Sequence, residues 1–287
     1  MNGILNILKP PHMTSSDVVV LLKKIFYPHK VGHMGTLDPN ACGVLLIGVG
    51  KSVRLFDYLL QNKKYYRAAF KFQTSTDTGD ACGKIIATGG NVPTVNQIKD
   101  ALLAFKGEIW QTPPNYSAVS VGGVRAYDLS RKGMEFELKP KRVFIHSFEL
   151  TEKFGGFFEF DIECSGGTYI RSLCTDLAKA LKANAYMASL IRMRCGNFDI
   201  SQSVTLPRVL ESKEEGALEA LLTPPQLALN FLEKLEITSP EKFKILNGQK
   251  IEYKAPENNY RLFCEGEFLG IAKIEKNLLK LKTHLYR

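Results

Sequence analysis

One short segment of the chain combines a carboxylate, a histidine and several glycines. It covers residues 32–45 and places Asp38 before a proline and shortly after His33. The apolar run at residues 44–49 predicts a buried strand, and a loop joined to such a strand gives a catalytic side chain a rigid support. An Asp-Pro pair taken alone is more typical of a simple turn, so the other segments of the chain decide between these interpretations.

Two further positions carry side chains suited to binding a nucleotide or a carboxylate. Tyr66 lies on a predicted strand close to Lys64, and aromatic rings among cations commonly stack on a base and hold its phosphate. Tyr66 also fits an ordinary inward-facing core position. Arg171 lies where a predicted strand gives way to a helix, so its guanidinium can hold a carboxylate through two hydrogen bonds or simply cap a surface helix.

A stiff, proline-containing segment at residues 113–118 leads into a basic, glycine-rich stretch. Residues 122–142 contain six Lys or Arg and three Asp or Glu. This composition predicts a surface loop with a short helix at about residues 120–142. The loop is suited to gripping a phosphate backbone, and an ordinary solvated insertion is the alternative.

The positive charge of the chain is concentrated near its first candidate site. The net charge is +9 over 287 residues, and residues 1–75 alone hold ten Lys or Arg against three Asp or Glu. Such a field suits a polyanion, most simply a nucleic acid, although a basic surface that serves only solubility remains an alternative.

The composition argues against several other classes of protein. No stretch approaches the length of apolar sequence that a membrane span requires, and the first ten residues do not resemble a signal peptide. The six cysteines form no C-x-x-C pair, which argues against a zinc site and favours a reducing compartment. We therefore expect a cytoplasmic protein with no membrane partner and no metal.

The pattern of elements predicts an α+β fold. Strands are predicted at residues 66–73, 143–150, 157–164 and 187–193, with helices after Thr14 and Thr94 and at residues 170–181. Strand pairs without regular βαβ alternation favour a mixed, mainly antiparallel sheet flanked by helices. We assign residues 1–230, which hold the candidate residues Asp38, Tyr66 and Arg171, to this domain.

The end of the chain has a different pattern. Residues 205–230 contain three prolines and predict a connector. Short strands and turn signals over residues 235–287 then predict a small all-β module.

Taken in order, these segments resemble the TruB-type tRNA pseudouridine synthases over roughly residues 3–210. The matching elements are Lys9-Pro10 with Thr14-Ser15, Gly32-His33-x-Gly35-Thr36-Leu37-Asp38-Pro39, Ala41-x-Gly43-Val44-Leu45, Lys64-x-Tyr66, Thr76-Asp77-Thr78, Gln111-x-Pro113-Pro114-x-Tyr116-Ser117-Ala118, Gly167-Thr168-Tyr169-Ile170-Arg171, and Leu190 two residues before Arg192. The tail, with Leu246-x-Gly248-Gln249 and Phe268-Leu269-Gly270-Ile271-Ala272, resembles a PUA-type RNA-binding module.

The resemblance implies a role for each candidate residue. Asp38 would be the catalytic carboxylate of uridine-to-pseudouridine isomerisation, acting as nucleophile or as base, and Arg171 would pair with it. Tyr66 would stack on the flipped uracil, because a base inside a helical stack is out of reach. Tyr169 and Leu190 would line the pocket, and His33 would fill the space left by the extruded base or hold the displaced loop.

The resemblance also implies the partner and the cofactor requirement. The substrate would be the T arm of tRNA, at uridine 55, bound by a monomer that needs neither a metal nor an organic cofactor. The basic residues expected at the RNA are Lys9, Lys64 and Arg142.

Two alternatives remain beside this interpretation. One is the guide-RNA-dependent relative, which works within a multi-protein particle; the compact tail and the lack of long charged extensions disfavour it. The other is a tRNA-folding chaperone without essential catalysis, which an intact set of Asp38, Tyr66 and Arg171 disfavours as the sole role. The chain also departs from the family pattern at His12, Met13, Met34, Leu46 and Ser120.

Overall fold

The chain folds around two main β-sheets, which a computed structural model describes over residues 1–286. In chain order the strands of the first part are β1 Gly3–Lys9, β2 Val31–His33, β3 Cys42–Val49, β4 Lys64–Phe72, β5 Thr74–Thr76, β6 Ile85–Thr88, β7 Gly107–Gln111, β8 Ser120–Val121, β9 Val124–Arg125, β10 Lys141–Phe154, β11 Phe157–Cys164, β12 Ala185–Cys195 and β13 Phe198–Asp199. The strands of the C-terminal sheet are β14 Lys234–Glu236, β15 Ile251–Glu252, β16 Asn259–Cys264, β17 Glu267–Glu275 and β18 Leu278–His284.

Helices cover and connect these sheets. The α-helices are α1 Ser15–Ile25, α2 Phe56–Leu60, α3 Val95–Leu102, α4 Ala126–Arg131, α5 Ile170–Ala180, α6 Leu206–Glu214, α7 Pro225–Ala228 and α8 Ser239–Leu246. Four short 3-10 helices occupy Gly50–Leu55, Leu103–Phe105, Ile200–Gln202 and Leu218–Leu221. Within residues 1–286, no helix has both the length and the apolar character needed to cross a membrane.

The larger sheet has nine strands in the order β1-β3-β12-β4-β11-β10-β7, with β2 beside β3 and β13 beside β12. Strands β3 and β12 run parallel through Ile191 and Cys42, whereas the other neighbours along the sheet pair antiparallel. The C-terminal part is a β module built on a separate five-stranded sheet, and the expected all-β character is corrected by one helix, α8, which the capping residue Thr238 begins. The expected α+β class and the mixed, mainly antiparallel sheet are thus confirmed.

One face of the larger sheet carries the core that supports the candidate site. Alternate residues of β4 and β11 point to this face, as the two-residue period of a strand requires. Phe70 packs on Phe160 with ring centroids 4.6 Å apart, and α5 adds Leu173 and Leu177 to the same cluster. Tyr66 lies in this row, so its ring is held by core packing.

The predicted connector at residues 205–230 is wrong, because this segment folds as helices on the catalytic part. Proline is compatible with the first turn of a helix, and Pro207 and Pro225 occupy such positions in α6 and α7. Val209 and Leu222 pack in a cluster with β1 and α1.

The loop between β2 and β3, which contains Asp38, is held by polar side chains on either side of the carboxylate. Ser15 Oγ accepts a hydrogen bond from the Leu37 amide at 2.9 Å and donates to the Leu37 carbonyl at 3.1 Å. Lys9 Nζ donates to the Pro39 carbonyl at 3.0 Å. The main chain is thereby fixed immediately before and after Asp38.

A glycine at the start of β3 allows this loop to approach β12. Gly43 has a φ of +106°, and a Cβ at this position would lie 2.3 Å from the carbonyl oxygen of Arg192. The contact is with main chain, which cannot swing aside as a flexible side chain would. Close pairing of the loop with β12 therefore requires glycine at position 43.

Stability should depend on pH through Lys9. Burial lowers the pKa of this lysine from its ordinary value of 10.5 to about 8. Between these two values the unfolded chain binds more protons than the folded chain, so the contribution of Lys9 to stability rises with pH in that window. We expect the free energy of unfolding of the wild type, measured relative to Lys9→Met, to increase from about pH 8 upward.

Denaturant unfolding of both proteins from about pH 7 to about pH 10 measures this difference. The variant removes the titrating group, so the many other lysines and tyrosines cancel in the comparison. A difference that stays flat with pH would contradict the prediction.

Candidate active site

Asp38 and Arg171 form an ion pair with two parallel hydrogen bonds. Arg171 Nε donates to Asp38 Oδ2 at 2.9 Å, and Nη2 donates to Oδ1 at 3.0 Å. The side chain of Arg171 is 6% exposed, whereas that of Asp38 is 28% exposed. A buried guanidinium thus fixes the plane of a carboxylate that still reaches solvent, as a reactive carboxylate must.

The same guanidinium joins two other segments to the Asp38 loop. Nη1 donates to the carbonyl of Thr78, in the turn after β5, at 3.1 Å. Nη2 also donates to the carbonyl of Tyr116 at 3.0 Å, and Asp80 Oδ2 lies 3.8 Å from Nε. Three segments that are distant in sequence therefore meet on one side chain.

The first turn of α5 is itself anchored to β7. The buried side chain of Gln111 donates to the carbonyl of Tyr169 at 3.0 Å and accepts from the amide of Tyr169 at 2.7 Å. Ser172 Oγ donates to the carbonyl of Thr112 at 2.8 Å. These contacts on either side of Arg171 determine where its guanidinium emerges.

Tyr66 lies beside the Asp38 loop, in the core cluster that also contains Leu37, Ala41 and Leu190. The tyrosine is only 7% exposed, and burial raises the pKa of its phenol to about 12, with the Arg192 charge acting in the opposite direction. The phenol is therefore protonated at neutral pH. The structure places Tyr66 and Leu190 in one core cluster with Leu37, the residue before Asp38.

Tyr169 and His33 border the same region. The Tyr169 ring is half-buried, burial raises the pKa of its phenol, and Lys141 Nζ lies 4.7 Å from the ring centroid. Burial, aided by the charge of Arg192, lowers the pKa of His33, so its imidazole is neutral at pH 7. His33 Nδ1 is buried and has no hydrogen-bond partner among residues 1–286.

Arg192 is a site residue to which the sequence analysis assigned no role. Its Nε donates to the Val44 carbonyl at 2.6 Å and its Nη1 donates to the Thr36 carbonyl at 3.2 Å, across both ends of the Asp38 loop. The available signal was an arginine within a largely apolar strand pattern. Asp80 was also missed, although it follows the Thr76-Asp77-Thr78 element by only two residues.

The expectation that Lys9 and Lys64 bind RNA is corrected by their burial. Lys9 Nζ donates to the carbonyls of Pro10, Met13 and Pro39, which uses all three of its N–H donors. Lys64 Nζ donates to the carbonyls of Asn62, at 2.6 Å, and Leu60. Both ammonium groups hold the main chain of the site and do not face the solvent.

Arg142, in contrast, lies at the surface. Its guanidinium forms an ion pair with Glu108 at 3.2 Å and lies over the exposed ring of Trp110 at 5.5 Å. An RNA contact of Arg142 stays a prediction.

A cavity of about 520 Å³ lies near the ion pair, although neither Asp38 nor Arg171 lines it. Its lining residues come from the turn after β5 and from the segment around α4: Asp77, Asn115, Tyr116, Ser130, Gly133, Met134, Glu135 and Phe136. It reaches Tyr116, whose carbonyl binds Arg171. Across residues 1–286, no group of three His, Cys, Asp or Glu side chains is arranged to hold a metal ion. The chemistry that this arrangement supports is nucleophilic or basic action by one oriented carboxylate.

The family models match consecutive parts of the chain. The model of the N-terminal domain of TruB family pseudouridylate synthases matches residues 23–170, and that of the tRNA pseudouridylate synthase B C-terminal domain matches residues 171–230. A third, the C-terminal model of pseudouridine synthase II TruB, matches residues 234–282.

Whole-length relatives carry the same description. The tRNA pseudouridine synthase B of Clostridium acetobutylicum is 39% identical over 98% of both chains, and that of Caldanaerobacter subterraneus subsp. tengcongensis is 40% identical over 98% of both. A chain in the structure of an H/ACA RNP bound to a substrate RNA containing 2'-deoxyuridine has the same fold, with a TM-score of 0.75 at 24% identity over 99% of this chain and 85% of that chain. The matched domains and the full-length relatives together show that this chain belongs to the TruB family of tRNA pseudouridine synthases, which are isomerases.

Proposed function

We propose that the protein converts uridine 55 in the T loop of tRNA to pseudouridine, with Asp38 as the catalytic carboxylate. The observation that carries this proposal is the geometry of Asp38, which is held through both oxygens by a buried arginine while 28% of its side chain remains exposed. Membership of the TruB family supports the reaction, and the resemblance of the sequence elements supports the T loop as the substrate.

The reaction breaks the bond between uracil N1 and ribose C1′, turns the base, and joins C5 to C1′. The proton on C5 is lost and N1 gains one, so reactant and product have the same atoms and oxidation level. Asp38 acts as nucleophile or as the base that removes a ribose proton. In either role it must be correctly oriented, and the two hydrogen bonds from Arg171 fix the plane of the carboxylate.

Base flipping accompanies this chemistry. The carboxylate lies beside the core of the sheet, so a uracil stacked inside the T loop has to leave the stack to reach it. The Tyr66 ring is suited to stacking on the extruded uracil, with Leu190 and Tyr169 lining the pocket. His33 would fill the space left by the extruded base or hold the displaced loop.

RNA binding is proposed for two surfaces outside the pocket. The segment at residues 120–142 carries exposed cations, including Arg142, and borders the cavity near Arg171. The module at residues 235–287 resembles a PUA-type RNA-binding module. Because phosphate contacts dominate affinity, these surfaces would supply most of the binding energy.

The guide-RNA-dependent alternative is disfavoured by the pattern of similarity. Relatives named tRNA pseudouridine synthase B match at 39–40% identity over 98% of both chains, whereas the H/ACA RNP chain matches at 24%. Pseudouridine formation in a T-arm minihelix by this protein alone, mapped by reverse transcription or mass, tests the choice directly.

Asp38→Asn should abolish turnover and leave RNA affinity within about tenfold of the wild type, because phosphate contacts elsewhere supply most of the binding. Pseudouridine mapping and filter binding on the same minihelix measure the two properties. Asp100→Asn, an exposed carboxylate-to-amide change on α3, is the matched control and should leave both unchanged. A near-native rate for Asp38→Asn would refute the assignment and favour the chaperone alternative.

Arg171→Lys should lower the rate strongly although it keeps the positive charge. A lysine cannot bind both carboxylate oxygens and also reach the carbonyls of Thr78 and Tyr116. The chain offers a matched control in Arg67, which binds Asp161 through two hydrogen bonds, at 2.9 and 3.0 Å. Single-turnover rates should be normal for Arg67→Lys, and equal losses in both variants would mean that Arg171 has no special role.

Tyr66→Ala should lower the rate about ten- to a hundredfold, because loss of one stacked base contact is worth roughly 1–3 kcal/mol. Tyr66→Phe should keep most of the activity if stacking alone matters, since the phenol, with a pKa of about 12, is not ionised at neutral pH. Tyr65→Phe controls for loss of a hydroxyl on the neighbouring residue, whose OH donates to Asp161. A severe loss in Tyr66→Phe would instead assign the hydroxyl a part in proton transfer.

A further inference from the structure

The C-terminal module shares a hydrophobic core with the catalytic part. Ile271 and Leu285 of the module lie in one buried cluster with Leu55, Leu59 and Met34 of the catalytic part. A module that only extended the RNA-binding surface could be joined by a linker and would bury such side chains within itself. The shared core instead makes the module a rigid continuation of the catalytic part.

Polar contacts reinforce this docking at one place, the segment formed by the 3-10 helix Gly50–Leu55 and α2. Arg54 Nη1 donates to the His284 carbonyl at 3.0 Å, and Tyr58 OH lies 3.2 Å from Thr283 Oγ1. Lys51 Nζ donates to the carbonyl of Tyr286. The end of β18 and the residues after it are therefore tied to the beginning and middle of this segment.

The other end of the same segment touches the parts of the chain that carry the proposed catalytic residues. The carbonyl of Leu60 accepts from Lys64, two residues before Tyr66. A Cβ at Gly166, in the turn that leads to α5, would lie 2.2 Å from that carbonyl oxygen. A Cβ at Gly35, in the Asp38 loop, would lie 3.4 Å from Leu60 Cδ1. Leu60 thus contacts three converging segments at once.

We propose that docking of the C-terminal module onto α2 positions the catalytic segments, so that the module sets the rate of isomerisation as well as RNA affinity. Arg54 and Tyr58 are positioning residues in this scheme. Loosening of the module would let α2 shift, and a displacement of about 1 Å at a reacting group can lower a rate about a hundredfold. The inference rests on the proposed roles of Asp38, Tyr66 and Arg171.

The test separates kcat from KM on a T-arm minihelix. Arg54→Ala and Leu285→Ala should each lower kcat by about tenfold or more at saturating minihelix, because the catalytic segments shift, whereas loss of RNA contacts alone would raise KM and leave kcat unchanged. Arg54→Lys can still donate to the His284 carbonyl and should restore most of the rate. The side chain of Arg54 is exposed, so its replacement by alanine removes nothing from the shared core. Arg54→Ala therefore tests the proposal even if Leu285→Ala fails to fold.

Phe243→Ala is the matched control in the module, because this side chain is 72% exposed on α8 and is not part of the shared core. Its kcat should equal that of the wild type. Interface variants that raise KM alone, or a kcat loss in Phe243→Ala equal to theirs, would overturn the proposal. Turnover by Asp38→Asn would instead refute the proposed function, so the two failures can be told apart.

Discussion

The buried guanidinium of Arg171 is the constraint on which the site depends. An unpaired charge at 6% exposure would be strongly destabilising, so this guanidinium needs acceptors from the segments around it. Two carboxylate oxygens and two main-chain carbonyls accept from it, and they come from three segments. The requirement to neutralise one cation therefore orders the Asp38 loop, the turn after β5 and the segment before α4 together.

Most of the other polar residues of the site provide hydrogen-bond partners for main-chain groups. The loop between β2 and β3 has little regular structure, so its amide and carbonyl groups need partners from side chains. Ser15, Lys9 and Arg192 supply them from α1, β1 and β12. Lys9, which the sequence analysis placed at the RNA, thus belongs to the internal scaffold of a loop.

The sequence predicted the features that residue types determine and missed those that depend on main-chain groups. Alternation along β4 and β11 has a period of two, so it revealed the sheet and the inward position of Tyr66. The pairing of Asp38 with Arg171 was predicted through the family resemblance, since the residue types alone indicated only that Arg171 could hold some carboxylate or cap a helix. The roles of Lys9 and Lys64 were not accessible, since their partners are carbonyl groups that any residue type presents. The helices at residues 206–228 were missed because proline marks a first helical turn as readily as a linker.

Contacts between residues far apart in the sequence also matter during synthesis of the chain. Asp38 and Arg171 are 133 residues apart, Arg192 bonds the carbonyl of a residue 148 positions earlier, and Lys51 contacts a residue 235 positions later. During synthesis at about 5–20 residues per second, the Asp38 loop is exposed for many seconds before its partners leave the ribosome. Contacts over such separations in the chain form slowly, so the β1–β3 pair keeps an unpaired edge until β12 joins it. The Asp38 loop therefore gains the last of its main-chain partners only after Arg192 has been made, when about two thirds of the chain has been synthesised.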